Sequence, residues 1–195
     1  MHTITAFISW ICYGHWLHGA ARGSVDPEHN TADMPWLPPD PEVESGERQR
    51  MTQPPYVMDA DRRRVVLAAI KSVCDFRGWT LHAIHVRTSH VHVVVTGAQT
   101  PERMMNDFKA YASRALNNAG FGDSNRKRWT RHGSTRYINR ETYLAAAINY
   151  VLNKQGEPMQ RWPDPPHPDG RGSSTGATDE PSTGATDEPR PSGSD

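Results

Sequence analysis

The hydrophobic pattern divides the chain into short alternating runs, helical repeats and two stretches with neither. Ile4 to Cys12 is β-branched and aromatic with partial alternation, and predicts a first strand. Gly14 to about Val57 carries Pro27, Pro35, Pro38, Pro39, Pro41, Pro54 and Pro55, and reads as an irregular excursion. Asp59 then caps a helix in which Val65, Val66, Ala69, Ile70 and Val73 recur at helical spacing, ending near Arg77-Gly78. Trp79 to Val86 predicts a second strand, Arg87-Thr88-Ser89 a short turn, and His90 to Thr96 a third strand, which together make a hairpin. Thr100-Pro101 opens a helix with Met104, Phe108, Tyr111 and Ala115 on one face. A polar loop leads to a short strand around Ser134 to Ile138. Asn139 opens a last helix, with Leu144, Ala147, Ile148 and Val151 toward the core, stopped by Gly156 and Pro158.

The order of regular elements is strand, helix, strand, strand, helix, strand, helix. The first six form a βαββαβ string, so the expected fold is α+β: a ferredoxin-like (split βαβ) antiparallel sheet with helices on one face. That fold hosts many functions and selects none.

Composition changes the picture at the C-terminus. Residues 161–195 are dominated by Pro, Gly, Ser, Thr, Asp and Glu, and Ser174–Pro181 is repeated directly as Ser182–Pro189. Such a segment cannot bury enough apolar area to offset its ordering entropy, and is expected to be a disordered acidic tail. Residues 1–160 form the expected single domain, with the excursion at 14–57 inside it. The overall charge of zero conceals a basic body beside this tail. Residues 103–140 concentrate that charge in Arg103, Lys109, Arg114, Arg126, Lys127, Arg128, Arg131, Arg136 and Arg140, against Asp107 and Asp123. A polyanion suits such a region, although a solvated surface has the same composition. Cys12 and Cys74 lack metal or redox spacing and read as buried thiols of a reducing compartment. The apolar stretch from Ile4 to Cys12 is too short to span a membrane, so the expected location is the cytoplasm.

The chemistry concentrates in His90-Val91-His92. On a strand both imidazoles project from one face, and two neutral imidazoles make half of a divalent-metal site. The alternative is a strand whose histidines merely hydrogen-bond or face water. The last helix carries Tyr143 and Tyr150 on one side, with Asn153 a turn beyond Tyr150. Packed beside the histidine strand, that helix would bring a tyrosine to the metal. A phenol is a weak nucleophile at neutral pH and needs the polarisation that a metal gives a phosphodiester. His82 and His85, three apart on a strand, are expected on opposite sheet faces, so that one could lie near the metal, although both read first as packing or surface residues. Trp16, Trp36 and Trp129 are candidates for stacking on unpaired bases. Lys109, Arg114, Arg126, Arg128, Arg131 and Arg136 are candidate phosphate contacts.

These features in this order resemble the HUH-type single-tyrosine transposases. They are His-Val-His after a hairpin turn, the basic segment, Gly133-Ser-Thr-Arg-Tyr-Ile138, Ala147-Ile-Asn-Tyr-Val-Leu152, and the opening Trp10-Ile-Cys-Tyr-Gly14 with Arg22-Gly-Ser-Val25. The nearest look is to the REP-associated tyrosine transposases and their IS200-like relatives, over residues 4 to 157. The resemblance implies a catalytic domain acting on single-stranded or hairpin DNA, as monomer or homodimer at the nucleoid. It implies a Mg²⁺- or Mn²⁺-assisted tyrosine joined to a 5′-phosphate, with His90 and His92 as ligands and Tyr150 as nucleophile. Relatives often place an amide four residues after the tyrosine, where this chain has Lys154. Asn153 and Gln155 flank it. Asn153 keeps the tyrosine's face in an ideal helix, and Gln155 reaches back if the helix frays before Gly156, the alternative favoured by the family look. A relative that grips structured DNA without cutting it, and a metal-binding hydrolase, remain the other readings.

Overall fold

Alternation in the third strand organises the molecule. In the computed structural model, which describes residues 3–21, 38–122 and 124–164, Val91, Val93 and Val95 are fully buried on one side of the sheet, while His90, His92, Val94 and Thr96 face the other. The sheet has five antiparallel strands: β1 (Ile4–Ile11), β2 (Thr80–Val86), β3 (His90–Gly97), β4 (Ser134–Tyr137) and β5 (Gln160–Trp162), in the order β4-β1-β3-β2-β5. The first four strands have the ferredoxin-like arrangement. The irregular region contains one helix, α1 (Pro41–Gln49). Helices α2 (Ala60–Arg77) and α3 (Pro101–Asn118) join the strands of the split repeat, and α4 (Glu141–Asn153) follows β4.

Local signals explain where the long helices begin and end. The Asp59 carboxylate accepts from the Arg62 N–H at 2.8 Å, and Gly78 closes α2 at φ 65°, a left-handed conformation that glycine adopts without strain. Thr100 caps α3 ahead of Pro101. Both helices pack on the valine face, where Ile8, Trp10, Val66, Ile70, Met104, Phe108 and Leu116 complete the main core. Gly133 lets the chain enter β4 against this layer: a Cβ there would meet Met105 Sδ and the Ser9 carbonyl oxygen at 2.5 Å.

The bare pattern predicts helices on one face, and α4 departs from it. The split-repeat pair shares one face, but α4 lies on the opposite side, where Leu144, Ala147, Ile148 and Val151 pack with Phe7, Ala83, Val94 and Ile138. This second layer is thin, and Val151 is the only α4 residue fully buried. Two elements go beyond expectation. Helix α1 sits in the proline-rich excursion, capped by the Asp40 carboxylate ahead of Pro41, and buries no residue. Strand β5 pairs with β2 through Ile84–Trp162, His85–Arg161 and Val86–Gln160, so the sheet extends past residue 160. Residues 22–37, including Trp36, and the expected disordered tail from residue 165 onward lie outside the described residues.

Candidate functional site

The open end of the α4 face brings the sequence-predicted pair together. Cross-strand register sets Ser9, His92 and His85 side by side, with Ile11 opposite His90. The His90 and His92 rings lie 4.8 Å apart between centroids, and the Ser89 hydroxyl is 3.1 Å from His90 Nδ1. Tyr150 projects from the last turn of α4 with its ring 6.0 Å from that of His92 and 45% of its surface exposed. Phe7 fills the angle between them, stacked on His92 at 5.6 Å and edge-on to Tyr150 at 5.9 Å. Tyr150 is therefore part-exposed beside the His92 imidazole.

Electrostatics keep His92 neutral. Burial, then the neighbouring His90 and His85, pushes the His92 pKa down to about 3, against a hydrogen bond that its ring donates to the Gln155 side chain, which raises it. A neutral imidazole has a free lone pair, which is the form a metal needs. His92 Nδ1 is buried without a hydrogen-bond partner, a costly state unless another ligand satisfies it.

The amide beside this pair is Gln155. Helix α4 ends at Asn153, Lys154 leaves helical geometry at φ −113°, and Gly156 turns the chain at φ 73°. That turn carries Gln155 back, so its side chain bonds His92 and its Nε2 makes a long 3.4 Å contact with the Tyr150 carbonyl. The Asn153 amide instead donates to Asn149 Oδ1 at 2.9 Å along the exposed side of the helix. Among the described residues no group of three or more His, Cys, Asp or Glu could hold a metal ion. A metal at this end would therefore need two imidazole nitrogens and one amide oxygen, a set compatible with borderline or hard divalent ions.

The predicted basic surface divides in two. Lys109 and Arg128 are corrected as phosphate contacts, because both are buried. The Lys109 ammonium donates to the carbonyls of Thr130, Arg131 and His132 at 3.0–3.4 Å; burial lowers its pKa to about 8. Arg128 donates to Asn117 Oδ1 at 2.6 Å and to the Phe121 carbonyl. Arg126 is half-buried, tied to Gln53, Pro54 and Pro55. Arg114, Arg131 and Arg136 are exposed, and Arg136 lies opposite Phe7 on the site's face of the sheet. Trp129 is also corrected as a base platform: its indole donates to the Lys109 carbonyl and the Ser113 hydroxyl while its ring packs on Trp10 and Tyr56. Trp16 is 37% exposed.

His82 and His85 do not take opposite faces. A β-bulge between Leu81 and Ala83 shifts the register, so His82 reaches the Thr96 hydroxyl (2.8 Å) while His85 lies opposite His92. His85 is buried and doubly bonded. Its Nε2 accepts from the Met159 N–H at 3.2 Å, which leaves Nδ1 protonated to donate to the Val151 carbonyl at 3.0 Å. Burial first, then Arg87, Arg161 and Arg63, lowers its pKa, against the bond to Val151. Those three arginines act on the His85 ring and come from outside the 103–140 region. The sequence signal that could have found Arg161 was its place beside Trp162, the last large apolar residue before the tail.

The fold and site thus define a ferredoxin-like α+β protein with a paired-histidine strand and an adjacent, half-exposed helical tyrosine. Residues 55–153 match the family described as Transposase IS200 like, and the chain belongs to that family. Among solved structures, a REP-associated tyrosine transposase bound to a REP hairpin aligns at 11% identity and a TM-score of 0.43, over 77% of this chain and 66% of that one. This chain therefore spans just under two thirds of that protein's length. A candidate transposase from Deinococcus radiodurans R1 aligns at 12% identity and a TM-score of 0.39, over 79% and 92% of the two chains. No curated protein matches the chain. Among the described residues no helix is long and apolar enough to cross a membrane.

Proposed function

We propose that this protein cleaves and rejoins single-stranded or hairpin DNA through Tyr150. The observation that carries this reading is the half-exposed Tyr150 ring 6.0 Å from His92, itself paired with His90 at 4.8 Å. The phenolic oxygen attacks a backbone phosphorus; the new Tyr–O–P bond forms as the P–O3′ bond breaks. The phenol proton passes to solvent and the departing 3′ oxygen takes one up. The 5′-phosphate stays on the enzyme, and attack by a 3′-hydroxyl reverses the step, releasing the phenol without an external energy source. His90, His92 and the Gln155 amide would hold Mg²⁺ or Mn²⁺. When bound, the ion neutralises phosphoryl charge and stabilises the leaving oxygen. Phe7 keeps the tyrosine and histidine rings in register, and Arg114, Arg131 and Arg136 bind backbone phosphates without reading sequence.

Labelled hairpin oligonucleotides incubated with protein and Mn²⁺ are expected to give an SDS-resistant adduct, absent with EDTA and absent in Tyr150→Phe. Salt-dependent hairpin binding, unaffected by His90→Ala and accompanied by no adduct on any hairpin, would contradict this reading in favour of a non-cutting DNA-binding protein.

A further inference from the structure

The last turn of a helix leaves carbonyl oxygens without intrahelical partners. In α4 that turn carries Tyr150, and its carbonyls are bonded mostly by side chains from elsewhere. The Tyr150 carbonyl receives the Lys154 N–H at 3.1 Å and the long Gln155 contact. The Val151 carbonyl receives His85 Nδ1 from β2 at 3.0 Å, and the Leu152 carbonyl receives Arg161 Nη1 from β5 at 2.6 Å. His85 and Arg161 are themselves cross-strand partners, so the two donors enter side by side from adjacent strands.

The returning segment is fastened as well. Met159 donates to His85 Nε2, and Arg87 Nη1 donates to the Glu157 carbonyl at 3.0 Å. A guanidinium at a helix C-terminus also complements the negative end of the helix dipole. Apolar packing holds this turn weakly, since Val151 is its one fully buried residue and Tyr150 and Asn153 are exposed. The polar caps therefore set where the turn sits relative to β3.

We propose that His85 and Arg161 are positioning residues, which cap the last turn of α4 and so fix the Tyr150 hydroxyl relative to His90 and His92. This rests on the reading of Tyr150 as nucleophile. A displacement of about an ångström in a reacting group can cost up to ~100-fold in rate while substrate binding elsewhere is unchanged.

The test measures three things on the full chain: the single-turnover rate of adduct formation on a labelled hairpin with Mn²⁺, the hairpin dissociation constant, and amide deuterium exchange over residues 147–155. Arg161→Met removes the cap and keeps the aliphatic stem. It is expected to slow adduct formation about 10- to 100-fold, leave hairpin affinity within about twofold, and raise exchange in 147–155 alone. Arg161→Lys, which keeps a donor, recovers most of the rate. His85→Asn, whose amide nitrogen can stand in for Nδ1, stays closer to wild type than His85→Leu; because His85 is buried, Arg161→Met decides if either misfolds. An Arg161→Met rate within twofold of wild type, or a fall matched by an equal loss of hairpin affinity, overturns the proposal. A wild-type protein that forms no adduct sinks the cleavage reading; unchanged exchange in Arg161→Met then still overturns the capping.

Discussion

The two faces of one sheet divide the work of this protein, and β3 shows how. Its odd-numbered residues, Val91, Val93 and Val95, enter a buried core with Trp10, Ile70 and Phe108 under two eighteen-residue helices. Its even-numbered residues, His90 and His92, enter a shallow layer where a thirteen-residue helix is half open to solvent. A period of two thus places stability and candidate chemistry on adjacent residues without mixing them. The dense face holds the strand rigid, so the sparse face can keep unsatisfied polar atoms, such as His92 Nδ1, in fixed positions.

The comparison breaks most sharply at neighbouring residues. His92→Ala is expected to lower the rate of adduct formation by about a hundredfold or more, with the thermal midpoint close to wild type, because the residue anchors no core. Val93→Ala, one residue on, is expected to cost about 1–3 kcal/mol of unfolding free energy and to leave the rate per folded molecule near wild type. Parallel denaturant titrations and adduct assays check both; equal effects on both readouts in both variants would erase the division.

Gly133→Ala probes the dense face through its backbone. The new Cβ meets a carbonyl oxygen and a methionine sulfur at 2.5 Å, and the carbonyl cannot move without disturbing β1. A loss of about 1–3 kcal/mol follows, readable as a lower urea midpoint with an unchanged slope.

The smallest effect comes from Lys109. Its depressed pKa means the folded chain releases the proton at lower pH than the unfolded chain does. Between about 8 and the ordinary 10.5 the unfolded chain holds more protons, so wild-type stability gains with rising pH relative to Lys109→Met. The three carbonyl acceptors favour the charged form and keep this gain small. Urea midpoints of the pair at pH 7 and pH 10 measure it, and a wild-type advantage that shrinks at pH 10 would contradict the burial of this ammonium.

Much of this was legible in the sequence because its causes are local. Asp59, Gly78, Thr100 and Pro101 mark helix ends through bonds within a few residues, and alternation in β3 exposes the histidine pair directly. What stayed hidden depends on distant partners. Strand β5 is three residues long and gains its identity from pairing with β2. Helix α1 buries nothing, so it leaves no apolar period to read. The bulge that puts His82 and His85 on one face is invisible in residue types. Lys109 and Arg128 look like surface cations until a loop folds over them. Gln155 enters the site only because the helix ends two residues earlier.

Mass spectrometry of the protein–DNA adduct tests the central claim most directly. Digestion of protein trapped on a hairpin oligonucleotide with Mn²⁺ should yield one nucleotide-bearing peptide, with the added phosphate on Tyr150. Attachment at Tyr143 or any other side chain, or an unmodified Tyr150 after the DNA has been cut, would contradict it.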